Sequence, residues 1–69
     1  MTKRDQIYFI NETKYTIGLA KRGLQYNARD QLRELRGVIV YLGRTNQITK
    51  EERDKLLSLW LKLSIKYEI

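Results

Sequence analysis

The sequence predicts an all-α fold, a small three-helix bundle in which residues 1–69 form a single basic helical domain. Three observations support this prediction. The 69 residues include no proline, so nothing interrupts a long helix. Apolar residues recur every three or four positions over most of the chain, which is the helical period. Glycine-containing segments separate three stretches of similar length, and such short loops join antiparallel neighbours.

The first stretch predicts a helix from about residue 3 to residue 22. Thr2 followed by Asp5 has the spacing of an amino-terminal cap. Gly23 followed by the apolar Leu24 is typical of a Schellman stop, in which Leu24 would pack back on Leu19. One face of this helix would carry three isoleucines, Ile7, Ile10 and Ile17.

A second interpretation of the same residues stays open at this point. The segments "IYFI" and "YTIGL" could form an N-terminal β-hairpin around "NETK", because residues 15–19 alternate between apolar and polar or small side chains, as half-buried strands do. The fold would then be a hairpin followed by a two-helix hairpin.

The second stretch predicts a helix that begins with Asn27 as its N-cap and ends before Gly43. "GVIVYL" alone would suit a strand, but the helical period of "ARDQLRELR" continues into it. Gly37 inside a helix costs about 1 kcal/mol relative to alanine, so it indicates a close helix crossing. The expected core stripe is Leu32, Leu35, Ile39 and Leu42.

The third stretch predicts a helix from Thr49 to the last residues, because Thr49 and Glu52 have the spacing of a capping box. Its core stripe would be Leu56, Trp60, Leu63 and Tyr67. A second apolar row lies about 120° away on the helix, and it needs a second surface to cover it. Neighbouring helices could provide that cover, or the row could be a dimer or partner interface; its residues are Leu57, Leu61 and Ile65.

Composition excludes several kinds of site. With no cysteine and no histidine, the chain has no disulfide, no thiolate metal site and no imidazole general base. The carboxylates of Glu51, Glu52 and Asp54 lie where a helix amino terminus favours negative charge. We therefore expect no enzyme activity, no cofactor and no metal. No apolar run approaches the roughly 20 residues of a membrane span, and the amino terminus lacks the apolar stretch of a secretory signal, so we expect a cytoplasmic location.

Positive charge is concentrated in the first two thirds of the chain. The net charge is +6; residues 1–44 hold nine Lys or Arg against four Asp or Glu, and residues 45–69 hold five against four. Such asymmetry favours a polyanion or an acidic protein surface as partner. Asp30 and Glu34 could instead pair with neighbouring arginines. The charged face of the helix would then be an ordinary solvent-exposed surface without a binding role. The candidate nucleic-acid-binding residues are Lys21, Arg22, Arg29, Arg33 and Arg36.

Two functional hypotheses follow. In the first, the chain is a non-enzymatic regulatory protein that binds DNA, as in transcription regulation, through the basic middle helix, and two copies associate through Leu57, Leu61 and Ile65. In the second, it is a protein-binding modulator or inhibitor, of the kind encoded by a phage or mobile element, that docks its last helix on a larger partner. The arginines would then steer association with an acidic surface.

Overall fold

The computed structural model describes all residues 1–69, and it consists of three helices without strands: α1 Lys3–Lys21, α2 Gln25–Arg44 and α3 Lys50–Tyr67. The predicted small all-α three-helix bundle is confirmed. The alternative of an N-terminal hairpin is wrong, because residues 7–19 all lie inside α1. A helix satisfies its backbone groups within itself, whereas an isolated two-stranded hairpin is marginally stable in water.

Local hydrogen bonds fix both ends of α1 as predicted. The Asp5 N–H donates to Thr2 Oγ1 at 3.1 Å. At the other end, Gly23 adopts the left-handed conformation with φ of 80°. The Leu24 N–H donates to the Leu19 carbonyl at 3.0 Å, and a second bond from the Gly23 N–H completes the Schellman pattern. The chain therefore reverses direction within three residues and enters α2.

The start of α2 differs from the prediction. The helix begins at Gln25, with Leu24 as an N-cap that provides no side-chain hydrogen bond. Asn27 lies inside the first turn and is not the cap. The reversal at Gly23 already directs the chain into the helix, so the second helix needs no capping side chain to begin.

The end of α2 also lies beyond the predicted stop. Gly43 remains helical and the helix continues to Arg44. The left-handed residue is Asn46, with φ of 58°, since asparagine tolerates this region better than most residues. The Gln47 N–H donates to the Leu42 carbonyl at 2.9 Å, which closes the last turn. The next apolar residue, Ile48, is buried under the α2–α3 loop.

The predicted capping box of α3 is present. The Glu52 N–H donates to Thr49 Oγ1 at 3.1 Å, and the Thr49 N–H donates to Glu52 Oε1 at 2.9 Å. The helix ends where Glu68 adopts a left-handed conformation with φ of 56°. The Ser64 hydroxyl then donates to the Ile69 carbonyl at 2.7 Å, which holds the last residues against the helix.

α2 is the centre of the bundle. It packs along both other helices, whereas α1 and α3 touch over a short stretch only. Three members of its predicted stripe are buried and the fourth, Leu42, is half-buried. The fully buried positions of α2 are Ala28, Leu32, Leu35 and Ile39.

α1 buries a different face from the one that carries its isoleucines. Ile7 and Ile10 are each about half exposed, and Ile17 is half-buried. Thr16 is buried and its hydroxyl donates to the Glu12 carbonyl at 2.9 Å, so it leaves no unsatisfied polar atom. The core face of α1 consists of Phe9, Thr16, Leu19 and Ala20.

α3 contributes least to the core. Only Leu63 of its predicted stripe is fully buried, and Leu56, Trp60 and Tyr67 are half-buried. The buried residues form two clusters along the bundle. One contains Phe9, Leu35 and Ile39, and the other contains Leu19, Ala20 and Ala28.

The glycines of α2 differ in their surroundings, and the predicted close crossing is not at Gly37. Gly37 is exposed, and a Cβ atom placed there would meet nothing within 4 Å. The close approach of α2 and α3 occurs at Gly43, where a Cβ would lie 2.9 Å from Arg53 Cδ. Gly43 is therefore the position where the absence of a side chain matters for packing.

We predict that Gly37→Ala raises the free energy of unfolding by roughly 1 kcal/mol, because alanine has the higher helix propensity and meets no neighbour. Gly43→Ala is the matched control. It should gain less or lose stability, because the Arg53 side chain must move. Urea unfolding followed by circular dichroism measures both changes. Equal gains for the two variants would contradict the assignment of the crossing to Gly43.

An ion pair joins the amino-terminal ends of α1 and α3. The Met1 amino group pairs with Glu52 Oε2. The pKa of Glu52 lies below its ordinary value, first because the Met1 amino group donates a hydrogen bond to the carboxylate and then because the Thr49 N–H does so. A depressed pKa in the folded state makes stability depend on pH.

We predict that this interaction stabilises the fold above the ordinary glutamate pKa of 4.5, and that the contribution is lost as the pH falls through the depressed folded-state value. Glu52→Gln keeps the capping hydrogen bond but loses the charge. Wild type should therefore resist urea better than the variant at pH 7, and the difference should vanish in acid. Glu51→Gln removes the same charge from the same turn without breaking the ion pair, and should show a smaller pH-dependent difference. A wild-type advantage that persists unchanged in acid would refute the prediction.

Candidate nucleic-acid interface

Three arginines of α2 lie on the flank of the helix that faces α3. Arg29, Arg33 and Arg36 follow one another at intervals of four and three residues, which keeps them within about 60° of arc. All three side chains are exposed. The Arg36 guanidinium lies over the Trp60 ring, with Cζ 5.7 Å from the ring centroid, so the row is anchored to α3 at one point by a cation–π contact.

A cleft of about 350 Å³ opens between this row and α3. Arg29 and Arg33 form one wall and Ser64 lies on the other. The Trp60 indole N–H donates to the Leu32 carbonyl, which fixes the ring against α2. The complete lining is Arg29, Leu32, Arg33, Trp60, Ser64, Glu68 and Ile69.

None of these arginines has a carboxylate partner. The chain contains two ion pairs, Met1 with Glu52 and Arg53 with Asp54. Arg33 does not form the ion pair with Asp30 that would neutralise its charge within the helix. The guanidinium groups are therefore available for an anion, although Glu68 lines the same cleft.

The acidic residues of α2 lie elsewhere on the helix. At 100° per residue, Asp30 and Glu34 lie roughly a quarter to a third of a turn from the middle of the arginine row. They occupy the outermost face of α2, almost opposite the buried stripe of Leu32 and Ile39. A helix lying in a DNA groove presents its outermost face to the bases, and here that face is acidic.

Lys21 and Arg22 lie at the junction between α1 and α2, in the last turn of α1 and at its C-cap. Both side chains are exposed. Because neighbouring helices are antiparallel, this junction is at the same end of the bundle as the first turns of α2, where Arg29 lies. Arg29, Arg33 and Arg36 therefore share one flank of α2, and Lys21 and Arg22 lie at the turn that precedes this helix.

Packing in the bundle partly buries one residue of the second apolar row of α3 and leaves the other two exposed. Leu57 is half-buried and packs against the cluster of Phe9, Leu35 and Ile39. Leu61 and Ile65 are 53% and 70% exposed. Leu57 is therefore part of the core margin, and only Leu61 and Ile65 present free apolar surface.

Sequence reasoning missed two features of this region. Trp60 and Ser64 line the cleft, but a tryptophan in an apolar stripe indicates a core residue, and a lone serine gives no signal. The apolar groove on the other flank of α3, which contains Ile10 and Leu59, was also missed. The regular spacing of lysines beside these residues is the signal that could have revealed it.

The structure contains neither a metal-binding cluster nor a membrane-spanning helix. The chain contains no group of three or more His, Cys, Asp or Glu side chains arranged to hold a metal ion. None of the three helices combines the length and the apolar character of a transmembrane segment. No protein-family model, curated protein or solved structure matches the chain.

We predict that the two halves of the α3 row respond differently to the same substitution. Leu57→Ser should lower the free energy of unfolding by about 2 kcal/mol, because it removes packing beneath α2. Leu61→Ser and Ile65→Ser should each cost less than about 1 kcal/mol, since most of each side chain already meets water. Chemical denaturation of the three variants provides the test. A large loss at Leu61 would show that it is a core residue.

Proposed function

We propose that this chain is a small non-enzymatic regulatory protein that binds DNA through phosphate contacts at the α2–α3 cleft. The observation that carries the proposal is the row of three exposed arginines on one flank of α2, none of which is paired with a carboxylate. Three like charges on one face produce a local positive potential, which attracts a polyanion.

The residue types suit phosphate. A guanidinium presents several N–H donors in a planar fork that matches two phosphate oxygens. Arg29 and Arg33 line one side of the cleft, so a phosphate at its mouth could accept hydrogen bonds from both guanidinium groups. Arg36 is held over Trp60, which limits its freedom and reduces the entropy lost on binding.

The binding that we propose depends on the backbone and not on base sequence. The arginines lie beside α3, not on the outermost face of α2, where Asp30 and Glu34 would meet DNA unfavourably. Contacts from this flank would position the protein on phosphates. Lys21 and Arg22 would extend the same contact at the end of the bundle. The proposal implies a cytoplasmic location, where DNA would be accessible.

The exposure of Leu61 and Ile65 also favours the association of two copies of the chain through α3. A second copy that covered these side chains would bury apolar surface worth about 25 cal/mol per Å², and a dimer would double the arginines that face DNA. The same exposure supports a second candidate function, in which the chain is a modulator or inhibitor, of the kind encoded by a phage or mobile element, that docks α3 on a larger protein with Leu61 and Ile65 as anchors.

The test is fluorescence anisotropy of a labelled random duplex DNA titrated with the protein at several salt concentrations. We expect binding in the micromolar range that weakens steeply with salt. Arg29→Gln combined with Arg33→Gln should weaken binding and reduce the slope of log K against log salt by about 2, because two phosphate contacts are lost.

Lys3→Gln combined with Arg4→Gln is the matched control, since it removes the same charge from exposed positions at the opposite end of α1. It should change the slope little. An absence of binding at low salt, or an equal loss in both variants, would refute the DNA proposal. If DNA does not bind and Leu61→Ser with Ile65→Ser leaves the monomer folded but abolishes capture of a protein partner, the second candidate function is favoured.

A further inference from the structure

A second groove lies on the other flank of α3, between α3 and α1. Its volume is about 420 Å³. Phe9 and Leu56 line it, and Ile10 and Leu59 are exposed by 53% and 44%. The groove exists because α1 and α3 make little contact with each other, so the space between them is left open. It is separate from the arginine cleft and shares no residue with it.

Each helix that borders this groove carries a row of lysine and aliphatic residues along one face. On α1 the row recurs at intervals of four and three residues, which keeps its members within about 80° of arc. Its residues are Lys3, Ile7, Ile10, Lys14, Ile17 and Lys21.

The row on α3 has the same spacing and falls within about 60° of arc. Its members are Lys55, Leu59, Lys62 and Lys66. The two rows meet at the groove, because Ile10 and Lys14 of the first and Leu59 of the second line it together. All six lysines of the two rows are exposed, and none of them is in an ion pair.

Carboxylates are nearly absent from this side of the molecule. Asp5 and Glu12 lie on the opposite side of α1 from its lysine row, by helical spacing. On α3, Asp54 lies on another face, and only the first turn carries acids near the row. One of these, Glu52, is already paired with the Met1 amino group. The result is an apolar groove with a positively charged margin along both edges.

We propose that this groove binds an acidic amphipathic helix of a partner protein. The apolar lining would receive aliphatic or aromatic anchors of such a helix, and the lysines on both edges would meet carboxylates on its flanks. A nucleic acid has phosphates for the lysines but nothing apolar for Ile7, Ile10 and Leu59. A flat membrane surface would meet the lysines but would leave the floor at Phe9 and Leu56 uncovered.

The probe for the test is a fluorescein-labelled peptide of about 20 residues, long enough to form a helix on binding, with leucines on one face and glutamates on both flanks. A second peptide carries lysine in place of each glutamate. The wild-type chain should bind the acidic peptide at low salt and more weakly at high salt, and it should not bind the basic peptide. Amide chemical shifts should change at Ile10, Lys14, Leu59 and Lys62.

Two variants localise the contact. Ile10→Ser combined with Leu59→Ser should weaken the binding by about tenfold or more, since anchor contacts carry most of the affinity. Lys14→Glu combined with Lys62→Glu should weaken it and remove most of its salt dependence. Leu61→Ser with Ile65→Ser makes the same loss of apolar surface elsewhere on α3 and should have no effect. Circular dichroism checks that each variant is folded.

Three results would overturn the proposal. The basic peptide could bind as well as the acidic one. The protein could ignore the peptide but bind vesicles of phosphatidylcholine and phosphatidylglycerol through Ile10 and Leu59, which would assign the groove to a membrane surface. Sedimentation could show a dimer that Ile10→Ser with Leu59→Ser dissociates, which would assign it to a second copy. Arg29→Gln with Arg33→Gln should leave peptide binding unchanged, so this test is independent of DNA binding.

Discussion

The bundle depends on the burial of one stripe of α2 between the other two helices. Leu32 and Ile39 are almost completely removed from water, and Leu35 joins Phe9 of α1 in a common cluster. α1 and α3 have little contact of their own, so each is held in place mainly by α2. The Trp60 indole adds the one hydrogen bond that links the side chain of one helix to the backbone of another, at the Leu32 carbonyl. Loss of the α2 stripe would leave two helices with little surface in common.

The same arrangement explains why so much apolar surface remains exposed. Only 10 of the 69 residues are buried, because a chain of this size has a large surface for its volume. Each helix can bury one stripe against α2, and whatever lies on the flanks of α1 and α3 is left at the margin. Ile10 and Leu59 are exposed on one flank of α3, and Leu61 and Ile65 on the other. Both candidate interfaces are therefore products of a core centred on one helix.

Local signals in the sequence predicted the three helices and most of their ends. The features that the sequence did not predict depend on packing between residues that are distant in sequence. The Thr2 and Thr49 caps and the Gly23 stop depend on residues within a few positions of each other, so they could be read directly. Gly37 and Gly43 could not be distinguished, because the difference lies in the position of Arg53 on another helix. The start of α2 was misplaced because the Gly23 reversal made the capping role of Asn27 unnecessary.

The candidate site could be predicted only in part, for the same reason. The spacing of Arg29, Arg33 and Arg36 placed them on one flank, but the sequence could not show which helix that flank would face. The sequence also could not show which residues of the second apolar row of α3 are buried, since Leu57 is covered by residues that are distant in sequence. The lysine rows of α1 and α3 could each be read as a solvated face, and only the fold brings them to the two edges of one groove.

The three faces between helices differ in charge, and this difference affects both proposed binding sites. Tyr8 lies on the α1–α2 side, where burial raises the pKa of its hydroxyl first and the negative charges of Glu12 and Glu34 raise it further. Glu12 of α1 and Glu34 of α2 therefore both lie near Tyr8 on this side of the bundle. The arginine cleft and the lysine groove lie on the two flanks of α3. An anionic ligand is therefore attracted to α3 from either side, and the residues that line the cleft and the groove are separate sets.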